Sequence, residues 1–311
     1  MKLLTMRDER GFDRLCAVVG DEAVDLKATY LAGGGKPYKA ELLNDMLTFI
    51  ENGEDALEVA QEALGFISKG VKVSVPIPER LRPPIVYPRK LLCLAGNYAE
   101  HIREGGGPVF DKSKMTPRVF MKPPSTTLIG HGEPIVIPRN GNRIDWEAEL
   151  AVVIGRRGKF IPAEKAYDYV FGYSILNDVS ERQLKVPKER EPREGDRWFD
   201  WLNGKWFDTF APMGPWIVTK DEIPDPHSLR ITLTVNGEVM QDSSTKMMIF
   251  TIPEIIEFIS SLVTLEPGDV ISTGTPEGTG AARGIFLKKG DVVRIRIERI
   301  GELVNPVEAE G

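Results

Sequence analysis

The chain has 311 residues, with 46 acidic against 40 basic, so its formal net charge is −6, and 41% of its residues are apolar. This balance suits a soluble globular protein and argues against a general nucleic-acid binder, whose affinity rests on basic contacts to phosphates. No apolar run reaches the roughly eighteen residues of a membrane span, the charges at Lys2, Arg7 and Asp8 come too early for a signal peptide, and two cysteines, Cys16 and Cys93, fit a reducing cytoplasm rather than a disulfide framework.

Residue patterns predict strands at Lys2–Met6, Leu15–Val19 and Ala23–Leu26, the last two separated by the turn signal Gly20-Asp21. Helical spacing follows at Ala40–Ile50 and Ala56–Ile67. Five prolines between Pro76 and Pro88 then rule out helix or central strand. The expected organisation is a small α+β domain over 1–75, a proline-rich linker over 76–90 and a larger domain over 91–311.

Beyond the linker, strand patterns dominate: Leu91–Leu94, Val119–Met121, Ile135–Ile137, Glu147–Ile154, Val170–Leu176, Trp216–Thr219, Ile231–Val235, Asp269–Ser272 and Val292–Ile297. Asn236-Gly237 is a hairpin turn signal. One long helix is predicted after Thr251, which forms a capping box with Glu254 ahead of Ile252, Ile255, Ile256, Ile259 and Val263. The fold class is therefore α+β, mainly β, and not a doubly wound nucleotide fold.

Near the start of the second domain, Asn97-Tyr98-Ala99-Glu100 opens a short helix that Gly105-Gly106-Gly107 closes. His101 and Glu104 share its face. A carboxylate beside imidazole fixes the tautomer and raises basicity, as a general base requires; a plain surface ion pair has the same spacing. His131 and His227 fall in loop sequences.

In Trp146-Glu147-Ala148-Glu149-Leu150, the period of a strand sends Glu147 and Glu149 to one face, which turns apolar further along at Ala151 and Val153. Two such acids either end a strand in water or share a divalent cation, for which carboxylate oxygens suit Mg²⁺ or Mn²⁺. Asp178, after Asn177 at the exit of the strand Val170–Leu176, is either turn chemistry or a third carboxylate for the same site. No His/Cys spacing suggests zinc. Residues 184–208 crowd charges ahead of Trp198, Phe199, Trp201, Trp206 and Phe207, which fits a solvated loop or a mobile lid over a polar ligand.

Taken as a set, Gly96-Asn97-Tyr98 with His101 and Glu104, Asp145-Trp146-Glu147-Ala148-Glu149-Leu150, and Asn177-Asp178-Val179-Ser180 resemble the fumarylacetoacetate hydrolase family. So do Gly204-Lys205-Trp206-Phe207-Asp208, Ala211-Pro212-Met213-Gly214-Pro215-Trp216 and Thr273-Gly274-Thr275-Pro276-Glu277-Gly278, in family order over roughly residues 85–300. The resemblance implies a mixed β-roll catalytic domain behind a small N-terminal domain, in a homodimer or higher assembly. It implies that Glu147, Glu149 and Asp178 ligate Mg²⁺ or Mn²⁺, and that His101 with Glu104 activates water. Lys205 and Thr275 would hold a 2-oxo acid's oxygens, under a lid near His101–Asp111. Lys185 stands where the family often has Gln, and would read an extra substrate carboxylate or point into solvent.

The expected activity is metal-dependent hydrolysis of a C–C bond in an acylpyruvate-type 2-oxo acid, through an enolate that the metal stabilises. Isomerisation or decarboxylation of 2-oxo diacids, oxaloacetate included, is the alternative, and a metal-stabilised binding module the non-enzymatic one. Arg283 breaks the G-x-G-x-x-G pattern begun at Gly278, which argues against a phosphate loop, and no G-x-S-x-G elbow supports serine hydrolysis.

Overall fold

The computed structural model describes residues 1–108 and 111–311. Strands β1 (Lys2–Arg7), β2 (Asp13–Val19) and β3 (Glu22–Asp25) form a meander, and β4 (Ser74–Pro76) returns beside β3. Next come β5 (Leu91–Ala95), β6 (Arg118–Met121), β7 (Leu128–Ile129) and β8 (Ile135–Ile137). The central run holds β9 (Ile144–Asp145), β10 (Ala148–Ile154), β11 (Val170–Asn177), β12 (Ser180–Glu181) and β13 (Ala211–Thr219). The rest are the hairpin β14 (Arg230–Val235) and β15 (Glu238–Ser244), then β16 (Val270–Ser272), β17 (Val292–Ile297) and β18 (Gly301–Ala309).

Eleven strands make the larger sheet, in the order β4-β3-β2-β1-β13-β11-β10-β16-β5-β6 with β7 beside β13. A five-stranded sheet follows the order β15-β14-β17-β18-β8, and β12 pairs with β9. The leading residues join the rest through β1, which pairs antiparallel with β13. The proline-rich stretch is packed against the body: Leu81 and Ile85 are buried, and Thr5 Oγ1 donates to Pro84 O.

β10 is covered on both faces, as a central strand must be to read as a continuous apolar run. Leu150, Val152 and Ile154 enter a core shared with the five-stranded sheet and with Ile252, Ile255, Ile256 and Ile259 of the helix Ile252–Leu262. Ala151 and Val153 enter a second core with Phe49, Ile50, Val59 and Ala60 from the leading helices.

Most predicted elements form, and the differences have local causes. The helix expected over Ala40–Ile50 breaks into Pro37–Ala40, a 3₁₀ turn at Glu41–Leu43 and Met46–Glu51, because Asp45 caps the last piece by accepting from Thr48 N at 2.9 Å. Asp25 likewise ends β3 and caps an unexpected helix, Leu26–Ala32. Asn97 is not the N-cap of Ala99–Glu104; Tyr98 holds that position. The Asn97 amide instead donates to Phe250 O and Thr273 O and accepts from Phe250 N. Asn236 and Gly237 both adopt positive φ, 53° and 86°, as a two-residue hairpin turn requires. Cys16 and Cys93 are free and buried in the core. Among the described residues no helix is long and apolar enough to cross a membrane.

Candidate metal centre and active site

Register brings the three acids together. β10 and β11 pair with Ala148 opposite Asn177, so Glu147 and Asp178 lie side by side just past the paired ends, with Asp178 N donating to Glu147 O at 2.9 Å. Asn177 Oδ1 takes the Glu147 N–H at 2.9 Å, which fixes the entry to β10. Glu147, Glu149 and Asp178 each offer a carboxylate oxygen within 4.8 Å of the others, and all three are buried.

Their partners differ. Lys205 Nζ donates to Glu147 Oε2 at 2.7 Å and to Asp178 Oδ2 at 2.6 Å, lying over the Phe120 and Trp201 rings at 5.2 and 5.5 Å. Lys122 Nζ meets Asp178 Oδ1 at 2.5 Å and also donates to Val179 O and Phe210 O. Arg182 reaches Glu147 Oε1 and, at 2.8 Å, Asp145 Oδ2. Among the described residues Glu149 pairs with no cation: its Oε2 accepts from Ser272 Oγ and Gly274 N, and its buried Oε1 has no hydrogen-bond partner.

The electrostatics follow. Burial opposes the charge on Glu147, but Arg182 and Lys205 outweigh it and hold that carboxyl well below the usual range. Burial and then the charges on Asp178 and Glu147 push Glu149 well above its ordinary value. Burial disfavours the Lys205 ammonium, yet Asp178 and Glu147 keep it charged, whereas burial prevails at Lys122 and lowers it. A buried carboxylate with an orphaned oxygen beside two others fits a hard divalent cation, whose charge would offset the repulsion.

A pH dependence follows from Glu149. Without a cation it holds its proton above its ordinary 4.5, and a cation must drive that proton off. Affinity for Mg²⁺ is therefore expected to rise with pH above 4.5 until Glu149 is ionised. Calorimetry in buffers of different ionisation heat should show proton release on binding; an affinity flat across that range would contradict it.

His101 Nδ1 lies 2.8 Å from Glu104 Oε1 on the helix Ala99–Glu104. Glu104 also accepts from Gly278 N at 2.7 Å and Thr279 Oγ1 at 3.0 Å. Burial works against its charge, but the bonds from His101, Gly278 and Thr279 prevail and lower its pKa. An ionised Glu104 makes Nδ1 the donor and leaves Nε2 as the basic nitrogen. A positive charge on His101 is among the influences that lower the Glu147 pKa, after Arg182 and Lys205.

The other expected residues separate. Lys205 sits in the cluster, and Thr275 is buried in the loop after β16, its hydroxyl donating to Ala148 O at 3.0 Å. Lys185 is exposed; Arg182, three residues earlier, reaches Glu147. Segment 184–208 contains the helix Asp196–Asn203, braced by the Arg190–Asp200 pair. Its aromatics divide: Trp201 packs on Phe120, Trp206 Nε1 donates to Met121 O, and Trp198 and Phe199 are each 55% exposed. Of the lid expected near His101–Asp111, Val109 and Phe110 lie outside the described residues.

Sequence reasoning missed Lys122, Arg182, Asp145 and Gln241. Lys122 ends an apolar strand in front of Pro123, a position where a buried cation leaves no periodic signal. Asp145 is fully buried and accepts from Gly280 N at 2.5 Å and Ala281 N at 3.0 Å as well as from Arg182, tying the 278–281 loop to the cluster.

Residues 90–308 match the fumarylacetoacetate (FAA) hydrolase C-terminal family. A mitochondrial oxaloacetate tautomerase of Bos taurus is 41% identical over 285 residues, 88% of this chain and 84% of that protein. Among solved structures, a fumarylacetoacetate hydrolase of Exiguobacterium antarcticum is 31% identical with a TM-score of 0.78, both chains covered fully. A maleylpyruvate hydrolase of Sphingobium sp. SYK-6, solved with manganese(II) and pyruvate, is 30% identical with a TM-score of 0.74, again over the whole of both chains.

Proposed function

The chain belongs to the fumarylacetoacetate hydrolase family and is an enzyme of it, and from that premise we propose that it interconverts the keto and enol forms of a 2-oxo diacid of the oxaloacetate kind, with Mg²⁺ or Mn²⁺. The observation that carries the proposal is the convergence of Glu147, Glu149 and Asp178 within 4.8 Å, with Lys205 bridging Glu147 and Asp178. When bound, the divalent cation supplies the positive charge that two adjacent oxygens of a 2-oxo acid chelate and that an enolate requires.

The chain's own groups do the rest. Glu147, Glu149 and Asp178 hold the cation. Lys205 turns its ammonium from Asp178 and Glu147 to the 2-oxo oxygen and stabilises charge there. His101 Nε2 takes the proton from the carbon next to the ketone and delivers it to the resulting enolate oxygen to give the enol, the reverse transfers restoring the ketone, while Glu104 keeps Nδ1 protonated. The Thr275 hydroxyl donates to the substrate carboxylate.

Tautomerisation is favoured by the 41% identity over 88% of the chain to the bovine relative. Hydrolysis of a C–C bond beside a ketone, expected from the sequence, is the second reading, favoured by the likeness to maleylpyruvate hydrolase. In that reaction His101 Nε2 would take its proton from water. We further propose a homodimer, in a cytoplasm that keeps Cys16 and Cys93 reduced. A screen of the metal-loaded protein over oxaloacetate, acylpyruvates and muconate-type diacids tests the proposal. Faster loss of the enol absorbance of oxaloacetate supports tautomerisation. Release of pyruvate from an acylpyruvate supports hydrolysis, and turnover of none contradicts both.

A further inference from the structure

Gln241 belongs to β15 in the five-stranded sheet, yet its buried amide reaches the larger one. Its Oε1 accepts from Ala148 N at 3.0 Å, and its Nε2 donates to Thr275 Oγ1 at 2.9 Å and Pro276 O at 2.8 Å, with Glu277 O at 3.3 Å. The orientation of this amide is dictated by its partners, since a backbone N–H only donates and a carbonyl oxygen only accepts. The Thr275 hydroxyl must therefore accept from Gln241. Its own proton is left to give, and it goes to Ala148 O at 3.0 Å, between Glu147 and Glu149 in the chain. The loop has no slack against β15: a Cβ on Gly278 would lie 2.1 Å from Met240 O.

We propose that Gln241 is a positioning residue that sets the polarity of the Thr275 hydroxyl, so that the site accepts an anionic oxygen at that point. The hydroxyl keeps accepting from Gln241 and transfers its donated bond from Ala148 O to the carboxylate of a 2-oxo acid. The proposal rests on the reading of the site as one for 2-oxo acids.

Calorimetry with oxalate on the Mg²⁺-loaded protein tests it. Absence of oxalate binding by the unaltered protein would overturn the 2-oxo acid reading and this proposal with it. Given binding, Gln241→Met is expected to weaken oxalate about tenfold, the worth of one oriented hydrogen bond, and to leave the affinity for Mg²⁺ alone unchanged. Thr275→Val should lose a similar factor, and the double variant should bind no worse than Thr275→Val by itself, because the amide acts through the hydroxyl. Losses that multiply, or an unaltered affinity in Gln241→Met, would overturn the role of Gln241 and leave the 2-oxo acid reading standing. If Gln241→Met does not fold, Gln241→Glu, assayed at a pH high enough to ionise the substituted side chain, keeps the bond from Ala148 and cannot donate. It should weaken oxalate at least as much, and undiminished affinity would overturn the proposal.

Discussion

Glu147→Ala and Asp178→Ala are each expected to abolish Mg²⁺ and Mn²⁺ binding in titration calorimetry. Each removes one of three carboxylates that converge within 4.8 Å. Asp178→Ala also strands a buried cation: among the described residues Lys122 then retains only the Val179 and Phe210 carbonyls, whereas Glu147→Ala leaves Lys205 on Asp178 and Arg182 on Asp145. Removing one partner of a buried pair costs about 3–5 kcal/mol of stability. Asp178→Asn, which keeps the shape, therefore accompanies the alanine variant, with melting curves to show that both are folded. Undiminished affinity in folded variants of both residues would remove them from the metal site.

His101→Ala is expected to cost roughly 10²- to 10⁴-fold in kcat, the scale of general-base catalysis. Metal affinity should remain, because His101 is not among the clustered acids. Glu104→Gln should cost less than His101→Ala. The amide oxygen can still accept from His101 and Thr279, but the NH₂ cannot accept from Gly278, and the side chain carries no charge to hold the protonated ring. Turnover of the preferred substrate at the native rate by His101→Ala would remove His101 from the mechanism under either reaction.

The acids of the site were legible because their chemistry conflicts with their surroundings. Glu147 and Glu149 interrupt an apolar strand, and period two places them on one face without any knowledge of pairing. His101 and Glu104 were legible through helical spacing alone. Lys122, Asp145 and Gln241 were not, because each gains its meaning from a partner remote in sequence: Asp178, the start of the helix Gly280–Arg283 and Thr275 respectively. A lysine at the end of an edge strand is ordinary until the topology turns that end inward. The fold divided in the same way. The hairpin at Asn236-Gly237 and the helix after Thr251 rest on neighbours in sequence. The pairing of β1 with β13, 218 residues apart where Met1 N meets Thr219 Oγ1, has no local signal. β18 was not among the expected strands; it runs through Asn305 and Pro306, both paired to β17.

If Glu147, Glu149 and Asp178 hold a divalent cation where a 2-oxo acid binds, anomalous diffraction at the manganese edge, on crystals soaked with Mn²⁺ and oxalate, should show it. One strong peak is expected within coordination distance of all three carboxylates, with oxalate on its open side and the Lys205 ammonium turned from Glu147 and Asp178 toward an oxalate oxygen. Oxalate bound elsewhere, or no manganese peak while Lys205 still bridges Glu147 and Asp178, would contradict it.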